Sequence, residues 1–295
     1  MLPKMTCLLV LLLSSAPGVL CGLLIGAFNI KSFGDSKMSN ATLADIIVKV
    51  VQRYDIILIQ EVRDVDLTAT NSLMKKLNSD SAHVYQHVVS EPLGRSTYKE
   101  RYLFVYRAKK VSAVSSFQYD DGCESCGTDT FNREPFVVKF ASPFSAISEF
   151  AIIPQHTSPD EAVKEIDALY DVCTETTAQW KSDNILLMGD FNADCSYVRP
   201  SDWSKIRLRS NLQFEWLISD SIDTTVTDTN CAYDRIVAHG LAMQNAVVPG
   251  SANIYNFQSA LQLSSATVSY ILLFTHTLLQ KMLQQAGLYT QNLVH

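Results

Sequence analysis

The sequence predicts an α/β fold, with β-sheets packed on one another and helices on the outside. Two patterns point there. Short runs rich in β-branched and aromatic residues recur: LLIGAFNI from Leu23, YLFVYR from Tyr102, FVVKF from Phe136, FAIIP from Phe150 and NILLMGDFN from Asn184. Each ends at a polar or glycine-bearing corner, as strands do where they leave a sheet. Between them lie stretches whose apolar residues fall at helical spacing. No low-complexity linker or internal repeat interrupts the 295 residues, so one domain is expected.

Taken in order, residues 1–22 read as a secretory leader, with Lys4 ahead of a short apolar run from Cys7 to Leu13 and small residues through Gly22. That run is far shorter than the roughly 20 residues that span a bilayer. Leu23 to Ile30 then reads as a buried strand. Asn40 opens a helix whose Leu43, Ile46, Ile47 and Val50 share one face, and Tyr54 to Gln60 returns to strand. Pro159 to Trp180 forms a second helix, with Ala162, Ile166, Leu169 and Tyr170 on its apolar side.

Apolar residues at 47% and charged residues at 18% exclude a disordered or fibrous chain. A net charge of −6 excludes a polycation that holds nucleic acid by bulk charge, so any such contact is local. Beyond the leader remain Cys123, Cys126, Cys173, Cys195 and Cys231, enough for two disulfides and one spare thiol in an oxidising compartment, with the pairing open. A zinc site at Cys123-Glu-Ser-Cys126 lacks a second close Cys or His pair. In an exported chain Asn40-Ala-Thr is a glycosylation acceptor.

The strand-end corners carry Asn29, Glu61, His156, Asp190 and Asn192, with Glu100 and Asp234 as further candidates. Carboxylates, amides and histidines are what phosphodiester hydrolysis needs to hold a divalent ion, activate water and protonate the leaving oxygen. Hard oxygen donors suit magnesium or calcium. Singly each residue has a bland reading: Asn29 caps a turn, Glu61 is a solvated strand end, Gly189-Asp190 is a turn.

Together they form an ordered series: AFNI, QEVRD, YKERYLFVYR, FNREP, Pro154-x-His156, GDFNADCSYVRP and CAYDRIV. From about Leu23 to Phe257 this series resembles the deoxyribonuclease I family of the endonuclease, exonuclease and phosphatase superfamily. The resemblance implies a four-layer sandwich, two packed β-sheets flanked by helices. It places Asn29 and Glu61 at the catalytic metal, His156 as an acid or base oriented by Glu100, Asp190 and Asn192 on metal or phosphate, and Asp234 behind a second histidine. Arg63, Tyr98 and Arg133 would lie along a DNA groove. Two loops look like structural calcium sites, Asp121, Asp129, Phe131 and Glu134 in one and Asp223, Thr225, Thr227 and Thr229 in the other; IDTTVTDT also reads as a strand with one polar face. Disulfides Cys123 with Cys126 and Cys195 with Cys231 are implied, leaving Cys173 unpaired.

The implied activity is a secreted, monomeric endonuclease that uses calcium and magnesium, with manganese as an alternative ion, to cut double-stranded DNA to 5′-phosphorylated products. Some relatives bind monomeric actin, at a place where this chain has His87, Val88 and Val89. A lipid phosphodiesterase or inositol phosphatase is the other enzyme class in the superfamily; FNREP, YKERYLF and the CESC loop favour DNA.

Two departures stand out. Around the histidine this chain reads Pro154-Gln155-His156-Thr157, where the family usually has Leu and small residues. Family members also end in a strand preceded by Ser-Asp-His, the second catalytic imidazole, whereas here Leu273 and Phe274 fall at those Asp and His positions. His276 lacks the motif and reads as non-catalytic. Three segments are therefore expected: leader 1–22, domain 23–264, and a divergent tail 265–295 in place of the family's last strand. Tyr270 to Phe274 is the candidate substitute strand, and an inactive isoform that binds DNA, calcium or actin is the alternative function.

Overall fold

The structure, a computed structural model, describes residues 22–226, 229–271 and 277–283, the last by backbone alone. The leader, except Gly22, and Thr227, Leu273, Phe274 and His276 fall outside the described residues.

The first apolar run, longer than expected, is strand β1 (Gly22–Phe33). After a short helix α1 (Asp35–Met38), Asn40 starts α2 (Ala41–Val51): its side-chain oxygen accepts from the backbone N–H groups of Thr42 and Leu43, which have no partner within the helix. There follow β2 (Ile56–Val62), α3 (Thr68–Ser79), β3 (Tyr85–Val89), β4 (Arg101–Arg107), β5 (Ser112–Gln118), β6 (Phe136–Ala141) and β7 (Glu149–Pro154). The long helix α4 (Ala162–Trp180) begins three residues after Pro159, which sits in a single 3₁₀ turn, and Tyr170 is only half-buried on it. The remainder is β8 (Ile185–Asp190), α5 (Arg207–Ser210), β9 (Phe214–Trp216), β10 (Asp234–His239), α6 (Leu241–Ala246), β11 (Asn253–Tyr255), α7 (Phe257–Ala260), α8 (Ser265–Ile271) and β12 (Thr277–Leu283).

The strands form two six-stranded sheets, ordered β11-β12-β1-β2-β4-β3 and β5-β6-β7-β8-β10-β9. Side chains alternate across each sheet, so one residue faces the other sheet and the next faces a helix. Ile56, Leu58, Ile152, Leu186, Met188 and Ile236 fill the space between the sheets. Ile57 and Ile59 instead meet Ile47 and Val50 of α2 and Leu73 of α3, while Ile153, Leu187 and Val237 meet Ile166, Leu169 and Val172 of α4. Helix, sheet, sheet and helix are the four layers. Each such buried side chain contributes about 1.5–3 kcal/mol, and truncating one to Ala costs about 2–5 kcal/mol.

The divergent tail supplies a strand, but not the expected one. Tyr270 lies in α8, whose start is held by Ser264 Oγ accepting from the Thr267 N–H and whose Val268 and Ile271 are buried. The strand is β12, antiparallel to both neighbours, with Gly22 opposite Leu283, Ile25 opposite Gln280 and Ile254 opposite Leu278. Local helix signals at Ser264 thus prevail over the apolar pattern at Tyr270 and Ile271.

Cys123 is bonded to Cys126 and Cys195 to Cys231, which removes the zinc alternative; Cys173 is a buried free thiol. The second disulfide joins residues 36 apart in sequence, a closure worth about 4 kcal/mol on loop-entropy grounds. No helix among the described residues is long and apolar enough to cross a membrane.

Candidate active site

The ends of β1 and β2 in one sheet meet those of β7, β8 and β10 in the other at a common rim. Asn29, near the end of β1's pairing with β2, reaches across to donate from Nδ2 to Asp190 Oδ2 at 3.1 Å. The β1–β2 register slips just beyond it, and in this irregular stretch Ser32 and Glu61 both adopt left-handed backbone, φ 47° and 56°. That turn aims the Glu61 carboxylate inward, where Oε2 accepts from the Ser32 N–H at 3.0 Å. Glu61 is buried, unlike a solvated strand end, and Asn29 is buried as well.

Gln60 ties the two sheets together. Its Nε2 donates to the Gln155 carbonyl at 2.8 Å and its Oε1 accepts from the Asp190 N–H at 3.0 Å. Gly189 permits this approach: at φ 136°, any Cβ there would collide with the Gln155 carbonyl and the Gln60 amide. Asn192, also left-handed, donates from its backbone to Asp190 Oδ1 and from Nδ2 to the Thr157 carbonyl.

His156 follows β7 and places Nδ1 2.9 Å from Glu100 Oε2. Its backbone N–H donates to the Tyr102 hydroxyl, and its carbonyl accepts from Arg133 Nε at 2.9 Å. Burial is the largest influence on the imidazole and lowers its pKa, with Arg133 acting in the same direction, but the Glu100 charge and hydrogen bond, helped by Asp190, raise it overall. Burial likewise pushes the Glu100 carboxyl up, yet His156, Arg133 and Arg63 hold it below its ordinary value. For Glu61 burial wins: it raises the carboxyl, with Glu100 and Asp190 adding to the rise against His156 and the Ser32 N–H.

Asn29 Oδ1, Glu61, Asp190 and Asn192 are a hard-oxygen donor set, and Asn29 Oδ1 is buried with no hydrogen-bond partner among the described residues, which fits a divalent cation. Asp234 pairs with Asp190 in the β8–β10 register. Its Oδ2 is also buried without a partner among the described residues, and burial, then the Asp190 charge, push its carboxyl well above the usual range.

Arg63 and Tyr98 are exposed and stacked, the guanidinium 3.7 Å from the ring centroid, beside a cleft of about 420 Å³ that Ser32, Asp64, Thr97 and Lys99 also line. Arg133 is largely but not fully buried: it donates to the carbonyls of residues 156 and 157 and lies 3.5 Å from Glu100, on which Arg63 also acts.

In the first calcium-like loop Asp121, Asp129 and Glu134 bring one carboxylate oxygen each within 4.8 Å of one another, beside buried Phe131. Asp121 Oδ2 also accepts from the Thr130 and Phe131 N–H groups. The described residues of the second loop, 222–226 and 229–231, are irregular rather than a polar-faced strand: Asp223 Oδ1 accepts from the backbone N–H groups of Thr225 and Cys231, and the Thr225 hydroxyl donates to the Thr229 carbonyl. Sequence reasoning missed Gln60, Tyr102 and Glu165. A glutamate three residues after Ala162 and one before Ile166, inside an apolar stripe, was the available signal for the last.

The endonuclease/exonuclease/phosphatase family model matches residues 26–257. Deoxyribonuclease-1 of rabbit (Oryctolagus cuniculus) is 61% identical over 241 residues, 82% of this chain and 86% of the relative; the human protein is 60% identical over 240 residues, 81% and 85%. The chain belongs to the deoxyribonuclease I family. Solved structures share the fold of this family at low identity: an endonuclease/exonuclease/phosphatase protein from Bacteroides vulgatus (TM-score 0.59, 15% identity, 89% of this chain and 99% of that one) and the human Nocturnin catalytic domain (TM-score 0.57, 15% identity, 89% and 94%). As a member of the deoxyribonuclease I family the chain is a deoxyribonuclease by class, on an α/β sandwich.

Proposed function

We propose that this chain is an exported deoxyribonuclease scaffold for double-stranded DNA, with His156 as its acid–base group. The observation that carries the reading is the His156–Glu100 pair at 2.9 Å, its carboxylate buried, on a rim shared with Asn29, Glu61 and Asp190. With Nδ1 engaged by Glu100, the tautomer is fixed and Nε2 is left to take a proton from water or give one to the leaving oxygen. Asn29, Glu61, Asp190 and Asn192 would hold magnesium, calcium or manganese, which when bound neutralises phosphate charge and acidifies water. Asp121, Asp129 and Glu134 would hold a structural calcium, as would the loop at Asp223, Thr225, Thr227 and Thr229. Arg63 stacked on Tyr98 supports a contact with phosphate and sugar. The products would carry 5′-phosphates.

Asp234 Oδ2, without a hydrogen-bond partner among the described residues, favours a second reading for this particular tail: a folded but catalytically weak isoform. In the family's arrangement Asp234 orients a histidine at position 274, and here that position is Phe. One imidazole is worth about 100-fold to 10,000-fold in rate. The reading extends to monomeric actin as a partner of β3, which ends its sheet and carries His87, Val88 and Val89. Residues 1–22 would be removed on export, 23–264 would be the nuclease domain, and 265–295 its altered ending.

A plasmid-nicking assay on the secreted chain in calcium and magnesium, beside a version with Ser-Asp-His restored in the tail, tests both readings. Only the restored version should cut. Nicking by neither, together with hydrolysis of a phospholipid or inositol phosphate, would refute the DNA assignment. Equal nicking by both would refute the weak-isoform reading.

A further inference from the structure

The loop that carries His156 is held from below by a buried polar chain that the acid–base reading does not use. Gln60, Gln155 and Glu165 are all fully buried. Gln60 holds the Gln155 carbonyl, and the Gln155 side chain donates from Nε2 to Glu165 Oε2 at 2.9 Å. The same carboxylate accepts from the Ser158 N–H at 3.3 Å through Oε2 and from the Asn132 N–H at 3.2 Å through Oε1. One side chain on α4 therefore clamps both sides of His156 in sequence and the residue next to Arg133. Each donor offsets part of the cost of burying the carboxylate's charge.

Gln155 is the residue that distinguishes this chain here, since the resemblance leads one to expect an apolar side chain that could not donate. Burial raises the Glu165 carboxyl to about 7 even with its backbone donors, and with Arg133 and His156 lowering it, so the charge is finely held and each donor matters. We infer that Gln155 and Glu165 are positioning residues for His156, with Gln155 keeping the Glu165 carboxylate ionised beneath the His156 loop. The inference rests on the reading of His156 as the acid–base group, though its test does not depend on cleavage.

The charged groups facing His156 are Glu100, Arg133, Asp190 and Glu61, and those facing Glu165 are Arg133, His156 and Arg95. Within this set, removing the Glu165 charge lowers the His156 midpoint, and removing the Gln155 donor does so by making Glu165 easier to protonate.

The experiment is the imidazole titration of His156 by NMR in the full secreted chain, labelled at histidine and assigned by the signal lost in His156→Asn. Glu165→Gln and Gln155→Leu should each lower the midpoint by about 0.5 pH unit or more, and the double variant no further than Glu165→Gln alone, since both act through one charge. Midpoints within about 0.1 unit of the parent in both single variants, with only thermal stability reduced, overturn the proposal. If Glu165→Gln does not accumulate, Gln155→Leu decides by the same criterion. A failed nicking assay with shifted midpoints would count against the nuclease reading and leave the positioning pair standing.

Discussion

Replacing Asp234 by Asn should stabilise this protein at neutral pH. The carboxyl is 1% exposed, Oδ2 has no partner among the described residues, and Asp190 lies opposite on the neighbouring strand. Burial and that like charge hold its pKa well above the ordinary 3.8. The sign follows: between the unfolded and folded values the native state binds the extra proton, so stability falls as pH rises from the ordinary 3.8 through that window, and a penalty is already present at neutral pH. An amide of nearly the same shape carries no charge to desolvate. A buried polar group without its partner costs about 1–3 kcal/mol, which for a domain of this size is about 2–12 °C in Tm. Thermal unfolding of both proteins in chelator, from pH 4 to pH 8, measures the gain. The curves should lie closest at pH 4, near the unfolded carboxyl's ordinary 3.8, and separate as pH rises. A variant that melts at or below the parent temperature at neutral pH would refute the account of Asp234 as an orphaned acid.

Four further outcomes are expected. In the restored-tail version, His156→Ala should reduce nicking by about 100-fold to 10,000-fold, and Glu100→Gln should lower the His156 midpoint, because the Glu100 charge and hydrogen bond are what raise it; the stability they add is present at low pH and lost as pH rises through that midpoint. Asn40→Ala should cost about 1 kcal/mol by removing the α2 cap, read as a lower Tm, whereas Thr42→Ala should keep the cap and abolish only the glycosidase-sensitive mobility shift. Chelating calcium should lower the Tm of the parent more than that of Asp121→Asn, measured by calorimetry. Gln280→Pro should cost about 3 kcal/mol or more or prevent secretion, because β12 pairs on both sides and proline removes a ladder donor.

The strands from Leu23, Tyr102, Phe136, Phe150 and Asn184 were legible because burial on both faces leaves an unbroken apolar run, and α2 because Asn40 marks its start. The rim residues were legible only as an ordered set; the side-chain bond between Asn29 and Asp190 spans 161 positions and has no local signal. Gln60 looked like any polar strand residue, since an amide that joins two sheets is defined by what stands opposite it. Glu165 went unread in the sequence, and no sequence signal foretold the Arg133 bonds to the 156 and 157 carbonyls, because charge alone does not say whether buried acceptors are waiting. The tail strand escaped for another reason: TLLQKML is weakly patterned, and its place is set by the open backbone of β1 and β11.

That placement ties the two ends of the polypeptide in time as well as space. β1 is the first strand to emerge from the ribosome and β12 the last, yet β12 sits between β1 and β11. Until synthesis finishes, β1 presents an unsatisfied hydrogen-bonding edge, and the closing contact is among the most distant in sequence that the chain makes. A nascent or truncated copy is thus exposed to edge-to-edge association during synthesis, and the rate at which β12 docks would govern how much of the chain folds.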